Sequence, residues 1–332
     1  MSQLPAGVRD WAVERASHVP FARLKLAASK LSDEYRAGGS TATSGLSDDE
    51  RTAAYLAVRF PATYAAALAV VTECSRRLPP PTSLLDLGAG CGAATLAALE
   101  VFPGLKDCTM IEADRALASA GRELVPHAEW RRERLEGAPF PEADLVVASY
   151  SLNELNNKDR AAVIQKAWKA ARIALIVIEP GSPAGFKIIL QIRDGLLAAG
   201  AHMAAPCPNA LPCPMGADDW CHFGARLERS ALHRRLKDGD LSYEDEKFSY
   251  IALAKSPCEI APARIIRRPE HSPGKIQLMI CKDGRVDQRN ILKRDKDAFR
   301  EARKSSWGDA FSGAKAPTDA VDRPPSDTEP TP

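Results

Sequence analysis

From Ser83 onward the chain alternates short apolar runs with helical stretches, and that rhythm restricts the fold more than any other feature. Leu84–Leu87, Cys108–Ile111, Leu145–Ser149 and Leu175–Ile178 are apolar on both faces, as strands buried inside a parallel sheet must be. Ala93–Val101, Asp159–Ala171 and Phe186–Ala199 lie between or after them and carry helical periodicity. The spacing predicts an α/β fold, a doubly wound Rossmann-like sheet. Upstream, Trp11–Leu31 and Tyr55–Val71 read as helices separated by a Gly-rich break at 38–45. Leu46-Ser47-Asp48-Asp49-Glu50 has the cap and acidic first turn of a helix start.

The first strand runs into a glycine turn, Asp86-Leu87-Gly88-Ala89-Gly90-Cys91-Gly92, and then into a helix. Glycines there let the backbone take positive φ and approach a ligand closely. Glu112 ends the next strand, where a carboxylate can accept hydrogen bonds from ribose hydroxyls. Gly88-x-Gly90-x-x-Ala93 also satisfies a dinucleotide fingerprint, which keeps a dehydrogenase in view. Asp86 argues against it, because a carboxylate repels a pyrophosphate and attracts an ammonium. The first motif resembles that of S-adenosylmethionine-dependent methyltransferases, and Asp86, Gly88, Gly90, Gly92 and Glu112 are the cofactor-binding candidates.

An acceptor should lie past the fourth strand, at Ser149-Tyr150-Ser151-Leu152-Asn153-Glu154-Leu155. The Asn/Asp-Pro-Pro-aromatic sequence common in amino-group methyltransferases is not there, and neither is a Pro-Cys nucleophile. Asn153 and Glu154 are candidates to orient an acceptor and Tyr150 to stack on a base. The same residues could equally cap the helix that follows. Glu179-Pro180-Gly181 after the fifth strand either lines the pocket or forms a turn.

Cys207, Cys213 and Cys221 fall in a loop broken by prolines 206, 208, 212 and 214, where core packing is an unexpected fate for three thiols. Their spacing is wider than that of paired zinc knuckles. Cys281 is the best fourth ligand, with His222 or Cys258 as substitutes. The residues leave zinc and an iron–sulfur cluster open. Cys74, Cys91 and Cys108 fall in a helix, a loop and a strand and are assigned to packing.

These features divide the chain into a helical region 1–80, a cofactor-binding core 81–200, a cysteine-bearing module with a small β region 201–304, and a tail 305–332. Phe248–Leu253, Ala263–Ile266 and Lys275–Cys281 are the module's expected strands, with a hairpin turn at Asp283-Gly284. Pro317–Pro332 has the composition of a disordered segment. Between Phe223 and Lys304 there are 20 Lys and Arg against 13 Asp and Glu, a surplus suited to an RNA-facing surface. No apolar run of membrane-spanning length stands out, and no signal-peptide core is evident. The expectation is a cytoplasmic protein without a membrane, its cysteines reduced or metal-bound.

The order Tyr55-x-x-x-Arg59-x-Pro61-x-Thr63-Tyr64, Leu85-Asp86-Leu87-Gly88-x-Gly90, Glu179-Pro180-Gly181 and Cys207-Pro…Cys213-Pro…Asp219-Trp220-Cys221-His222-Phe223 resembles one known group. It is similar to the methyltransferase-like assembly factors of the mitochondrial small ribosomal subunit and their bacterial relatives. The resemblance runs from about Ala53 to Gly284. It implies a methyltransferase fold, association with small-subunit rRNA, and a 4Fe-4S cluster whose ligands correspond to Cys207, Cys213, Cys221 and Cys281. The leading expectation is therefore an S-adenosylmethionine-dependent methyltransferase-like protein acting on that rRNA. The alternative is a non-catalytic RNA-binding assembly factor that uses cofactor and cluster structurally.

Overall fold

The computed structural model describes residues 3–37, 45–237 and 239–313. Expectations for the Gly-rich break at 38–44 and for Pro317–Pro332 lie outside the described residues.

Helices α1 (Ala6–Ser17), α2 (Phe21–Ala37), α3 (Asp48–Ala54) and α4 (Phe60–Ser75) precede the sheet. α3 starts where expected: the Ser47 hydroxyl accepts from the Glu50 N–H, and the Glu50 carboxylate accepts from the Ser47 N–H. Between α3 and α4, Tyr55–Arg59 forms a π-helical turn in which the Phe60 N–H reaches back to the Tyr55 carbonyl. Pro61 follows directly. It has no N–H to continue the α-helical ladder, so the helix re-registers just before it. The continuous helical run Asp48–Ser75 is, contrary to the sequence expectation, long and apolar enough to cross a membrane. Its most apolar stretch is 78% buried in the protein, as in a core helix.

The main sheet contains β1 (Ser83–Leu87), β2 (Asp107–Ile111), β3 (Glu129–Arg131), β4 (Ala143–Ser149), β5 (Ala171–Pro180), β6 (His202–Ala205), β7 (Phe223–Glu228) and β8 (Tyr243–Ala254). Its order is β3-β2-β1-β4-β5-β8-β6, with β7 also paired to β8. β1 to β5 are parallel, and β8 is antiparallel to both β5 and β6. A parallel sheet wound outward from β1 and β4, with a reversed strand inserted before its last member, is the methyltransferase form of the Rossmann-like fold. The chain has that fold. Helices α4 and α5 (Ala93–Val101) cover one face, and α7 (Asn157–Ala170) and α8 (Pro183–Ala198) the other. α6 (Arg115–Leu124) follows β2.

One strand lies elsewhere than expected. Phe248–Leu253 belongs to β8 in the main sheet, so the sheet continues past residue 200 to Ala254. The small module is limited to β9 (Arg264–Ile265), β10 (Glu270–Ser272), β11 (Lys275–Lys282) and β12 (Arg285–Leu292), with α9 (Lys296–Lys304) against them. Asp283 and Gly284, at φ 48 and 71°, make the hairpin turn. Ser305–Gly313 also differs from the expected tail. Phe311 is buried in the module's core, and Ala310 bridges to Arg264.

Candidate functional site

The carboxyl ends of β1, β2 and β4 open onto a cleft of ≈ 290 Å³ at the point where the windings diverge. Gly88 and Gly90 lie in its wall at φ 69 and 55°. A Cβ on Gly88 would stand 2.4 Å from the Ser151 Cβ, and one on Gly90 2.7 Å from the Tyr55 hydroxyl. The Gly88 and Ala89 N–H groups donate to the Ile111 carbonyl, which ties the turn to the end of β2. Gly92 is set apart. It turns the chain into α5 and packs against Met110 and Val125 rather than lining the cleft.

Asp86 forms part of the cleft wall and is fully buried. One carboxylate oxygen accepts from the Thr95 hydroxyl at 2.7 Å, and the other has no partner among the described residues. Burial pushes this carboxyl up to about 6, the Thr95 hydroxyl and backbone N–H opposing the shift and Glu112 adding to it. An acceptor oxygen left bare in a buried wall fits a ligand that brings a cationic donor. Glu112 accepts from the Gly90 and Asp114 N–H groups, both at 2.7 Å, and so orients the glycine turn as well as facing the cleft. Burial raises its pKa, and those backbone bonds counter part of the rise. The residues present therefore fit S-adenosylmethionine.

Of the acceptor candidates, Tyr150 and Glu154 share the cofactor cleft and Asn153 lies apart from them. Tyr150 sits at φ 57°, rare for an aromatic residue, with its side chain buried. Its hydroxyl donates to Glu246 at 3.0 Å, and the Arg59 guanidinium lies over its ring, 5.5 Å from the centroid. Arg59 in turn binds both Glu246 oxygens at 3.1 and 3.2 Å. The ring is thus held inside a wall. Asn153 lines a different cleft, of ≈ 990 Å³, behind that wall, while Glu154 stays at the mouth of the first. Glu154 is open to solvent on one side and crowded on the others. That crowding, with Glu112 second, pushes its carboxyl up to about 7. Glu179 does not line the cofactor cleft. Fully buried and pushed up to about 8 by that burial, it accepts from the Leu152 N–H and so supports the turn carrying these candidates.

Across the sheet, Cys207, Cys213, Cys221 and Cys281 line one cavity. The substitute ligands lie elsewhere. The Cys258 thiol faces the Met203 carbonyl, and His222 stacks on Trp220 and meets Trp307 edge-on. The four sulfurs share walls without a common ligation point: among the described residues no group of three or more Cys, His, Asp or Glu is arranged to hold a metal ion. Burial raises all four thiol pKa values, Cys281 to about 12.

The donor set around them has a sign that residue spacing does not reveal. Arg193 and Arg264, 4% and 1% exposed, line the same cavity. The Arg193 Nε and Asn209 Nδ2 have no acceptor among the described residues. Four soft sulfurs with N–H donors and buried guanidinium groups nearby are a donor set of the chemistry that ligates zinc or an iron–sulfur cluster, although the sulfurs are not gathered about one point. The cysteine loop is also joined to the methyltransferase sheet. The Trp220 indole donates to the Gly181 carbonyl at 2.9 Å, and the Ser249 hydroxyl to the Cys221 carbonyl at 2.8 Å.

Comparison with known proteins adds lineage to this geometry. A sequence model of the family described as mitochondrial small ribosomal subunit Rsm22 matches residues 49–312. The human ribosome assembly protein METTL17, mitochondrial, is 28% identical over 287 residues, covering 77% of this chain and 61% of its own length. Rsm22-cox11 tandem protein 2, mitochondrial, of Schizosaccharomyces pombe is 25% identical over 331 residues, covering 79% of this chain and 43% of its own. The chain thus spans less than two thirds of either relative. Among solved structures, magnesium protoporphyrin IX methyltransferase from Synechocystis with bound S-adenosylmethionine is similar at a TM-score of 0.38 and 11% identity, over 68% of this chain and 90% of that one. The expectation of a cytoplasmic protein is overturned by these relatives, which are mitochondrial proteins.

Proposed function

The chain belongs to the mitochondrial small ribosomal subunit Rsm22 family, and from that premise we propose that it is a ribosome assembly factor that binds small-subunit rRNA. In this reading it holds S-adenosylmethionine in the Asp86–Glu112 cleft and a thiolate-ligated centre at Cys207, Cys213, Cys221 and Cys281. The observation that carries the cofactor assignment is the bare, buried oxygen of Asp86. That oxygen would pair with the cofactor's ammonium, the turn at Gly88 and Gly90 would admit its chain, and Glu112 would meet its ribose. S-adenosylmethionine would supply an electrophilic methyl group when bound. Support for a structural use of the cofactor comes from Tyr150, whose hydroxyl is committed to Glu246, and from Asn153, which opens onto a different cleft from Tyr150 and Glu154.

A second reading, methyl transfer to rRNA, has one observation in its favour. Glu154 lines the cofactor cleft beside Tyr150, and crowding, with Glu112 second, raises its carboxyl pKa, the direction a general base requires. Deletion and complemented strains separate the two by small-subunit maturation and rRNA methylation. The structural reading expects a deficit of mature small subunits with every methyl mark retained. Loss of one mark, restored by the wild-type gene but not by Glu154→Gln, would establish the second reading instead.

A further inference from the structure

Beside the four thiols, two side chains hold the same backbone unit and keep a hydrogen-bond donor in reserve. Asn209 Oδ1 accepts from the Leu211 N–H at 3.0 Å, which fixes the amide orientation and leaves Nδ2 as the unused donor. Arg193 Nη2 donates to the Leu211 carbonyl and Nη1 to Asp194 at 2.5 Å, and the guanidinium also faces the Cys207 sulfur, while Nε makes no well-formed hydrogen bond among the described residues. Leu211 lies between Cys207 and Cys213, so both contacts fix the loop that carries two of the sulfurs. Arg193 comes from α8, where it shares the buried face with Ile189, Ile192 and Leu196. Its side chain is 5% exposed, whereas that of its acidic partner Asp194 is 57% exposed and shares its charge with solvent.

A buried cation with so weak a counter-charge is costly, and buried donors without acceptors cost more. Four neutral thiols would bring no negative charge and only weak sulfur acceptors. An anionic centre ligated by four thiolates answers both needs, because it brings negative charge and sulfur acceptors to the same cavity.

We propose that Arg193 and Asn209 are positioning residues for a thiolate-ligated centre: their free N–H groups donate to its sulfur atoms, and the Arg193 charge offsets its negative charge. This rests on the assignment of a metal or cluster to the four cysteines. Hydrogen bonds to sulfur and local net charge set the potentials of such centres, and outer-shell partners typically contribute 10–100-fold to metal retention.

The test reconstitutes the full chain anaerobically as wild type, Arg193→Gln, Arg193→Lys and Asn209→Ala. Iron, sulfide and zinc content, the rate of metal loss to a chelator and the midpoint potential are then measured. S-adenosylmethionine affinity serves as the check on the rest of the fold. The expected result is the same centre in every variant, with loss about 10-fold faster in Arg193→Gln and Asn209→Ala. The midpoint moves to more negative values in Arg193→Gln and stays near wild type in Arg193→Lys, which keeps the charge. If the centre is zinc, the loss rate alone decides.

Wild-type loss rate and midpoint in Arg193→Gln would overturn the proposal, as would an equal shift in Arg193→Lys. If Arg193→Gln does not fold, a wild-type loss rate in Asn209→Ala overturns it. Uptake of neither zinc nor iron and sulfide by the wild-type chain would remove the underlying metal assignment, and this inference with it.

Discussion

Replacing Asp86 with asparagine is expected to weaken S-adenosylmethionine binding by about 100-fold at neutral pH, the upper range for a charge-assisted hydrogen bond. It should leave the melting temperature unchanged or raise it. The two effects have one source. Asparagine keeps an oxygen for the Thr95 hydroxyl but removes a buried charge whose other oxygen is unpartnered. A site kept charged for a ligand at the expense of the unliganded fold is a common trade between stability and function. The pH dependence follows from the raised pKa of about 6. Above it the carboxylate is charged and attracts the ammonium. As pH falls through it the carboxyl is protonated and affinity drops. Calorimetric titrations at pH 5 and pH 7.5 should show this loss in the wild type and a flat profile in Asp86→Asn. Equal affinities in the two proteins at pH 7.5 would place the cofactor elsewhere.

Arg264→Ala should have the largest effect on stability, about 3 kcal/mol or more, in the range for breaking a buried ion pair. Arg264 is 1% exposed and joins three parts of the protein. It donates to Glu73 on α4 at 2.6 Å, to the Pro206 carbonyl beside Cys207 at 2.8 Å, and to the Gly308 carbonyl of the terminal segment at 2.8 Å. Arg77, 2.8 Å from Glu73, would still partner that carboxylate, but both carbonyls would lose their charged donor. Arg226 is the natural control. Its pair with Asp245 is open to solvent at 41% and 26% exposure, and Arg226→Ala should cost under about 1 kcal/mol. Urea unfolding of the two variants measures the contrast, and equal losses would contradict the joining role of Arg264.

The methyltransferase sheet was legible because its buried strands leave continuous apolar runs and its helices leave a 3.6-residue period. β3 was not, being three residues at an exposed edge with no burial pattern to read. The place of β8 was hidden for a different reason. An apolar strand announces that it is buried but not which sheet buries it, and the pairing of Tyr250 with Ile178 spans a long stretch of chain. Ser305–Gly313 reads as polar, although Trp307 and Phe311 pin it to the fold.

At the sites, Asp86, Gly88 and Gly90 are read locally, since the turn and its strand are contiguous, and Glu112 from its place at the end of the next strand. The wall of Arg59, Glu246 and Tyr150 is assembled from three distant segments and leaves no local signature. Arg193 did leave one, a charged residue at an apolar position of the α8 period. Such a residue needs an anionic or polar partner inside the protein, and the four cysteines supply the place for it.

In the proposed function one chain joins an S-adenosylmethionine cleft to a thiolate-ligated centre. Iron, sulfide and zinc should be measured in the anaerobically purified full chain, beside its visible spectrum and that of Cys213→Ser. The expected result is a stoichiometric centre, either iron with equal sulfide or zinc, that Cys213→Ser loses while S-adenosylmethionine binding persists. A well-folded wild-type chain with neither metal would contradict it and reduce the four cysteines to packing.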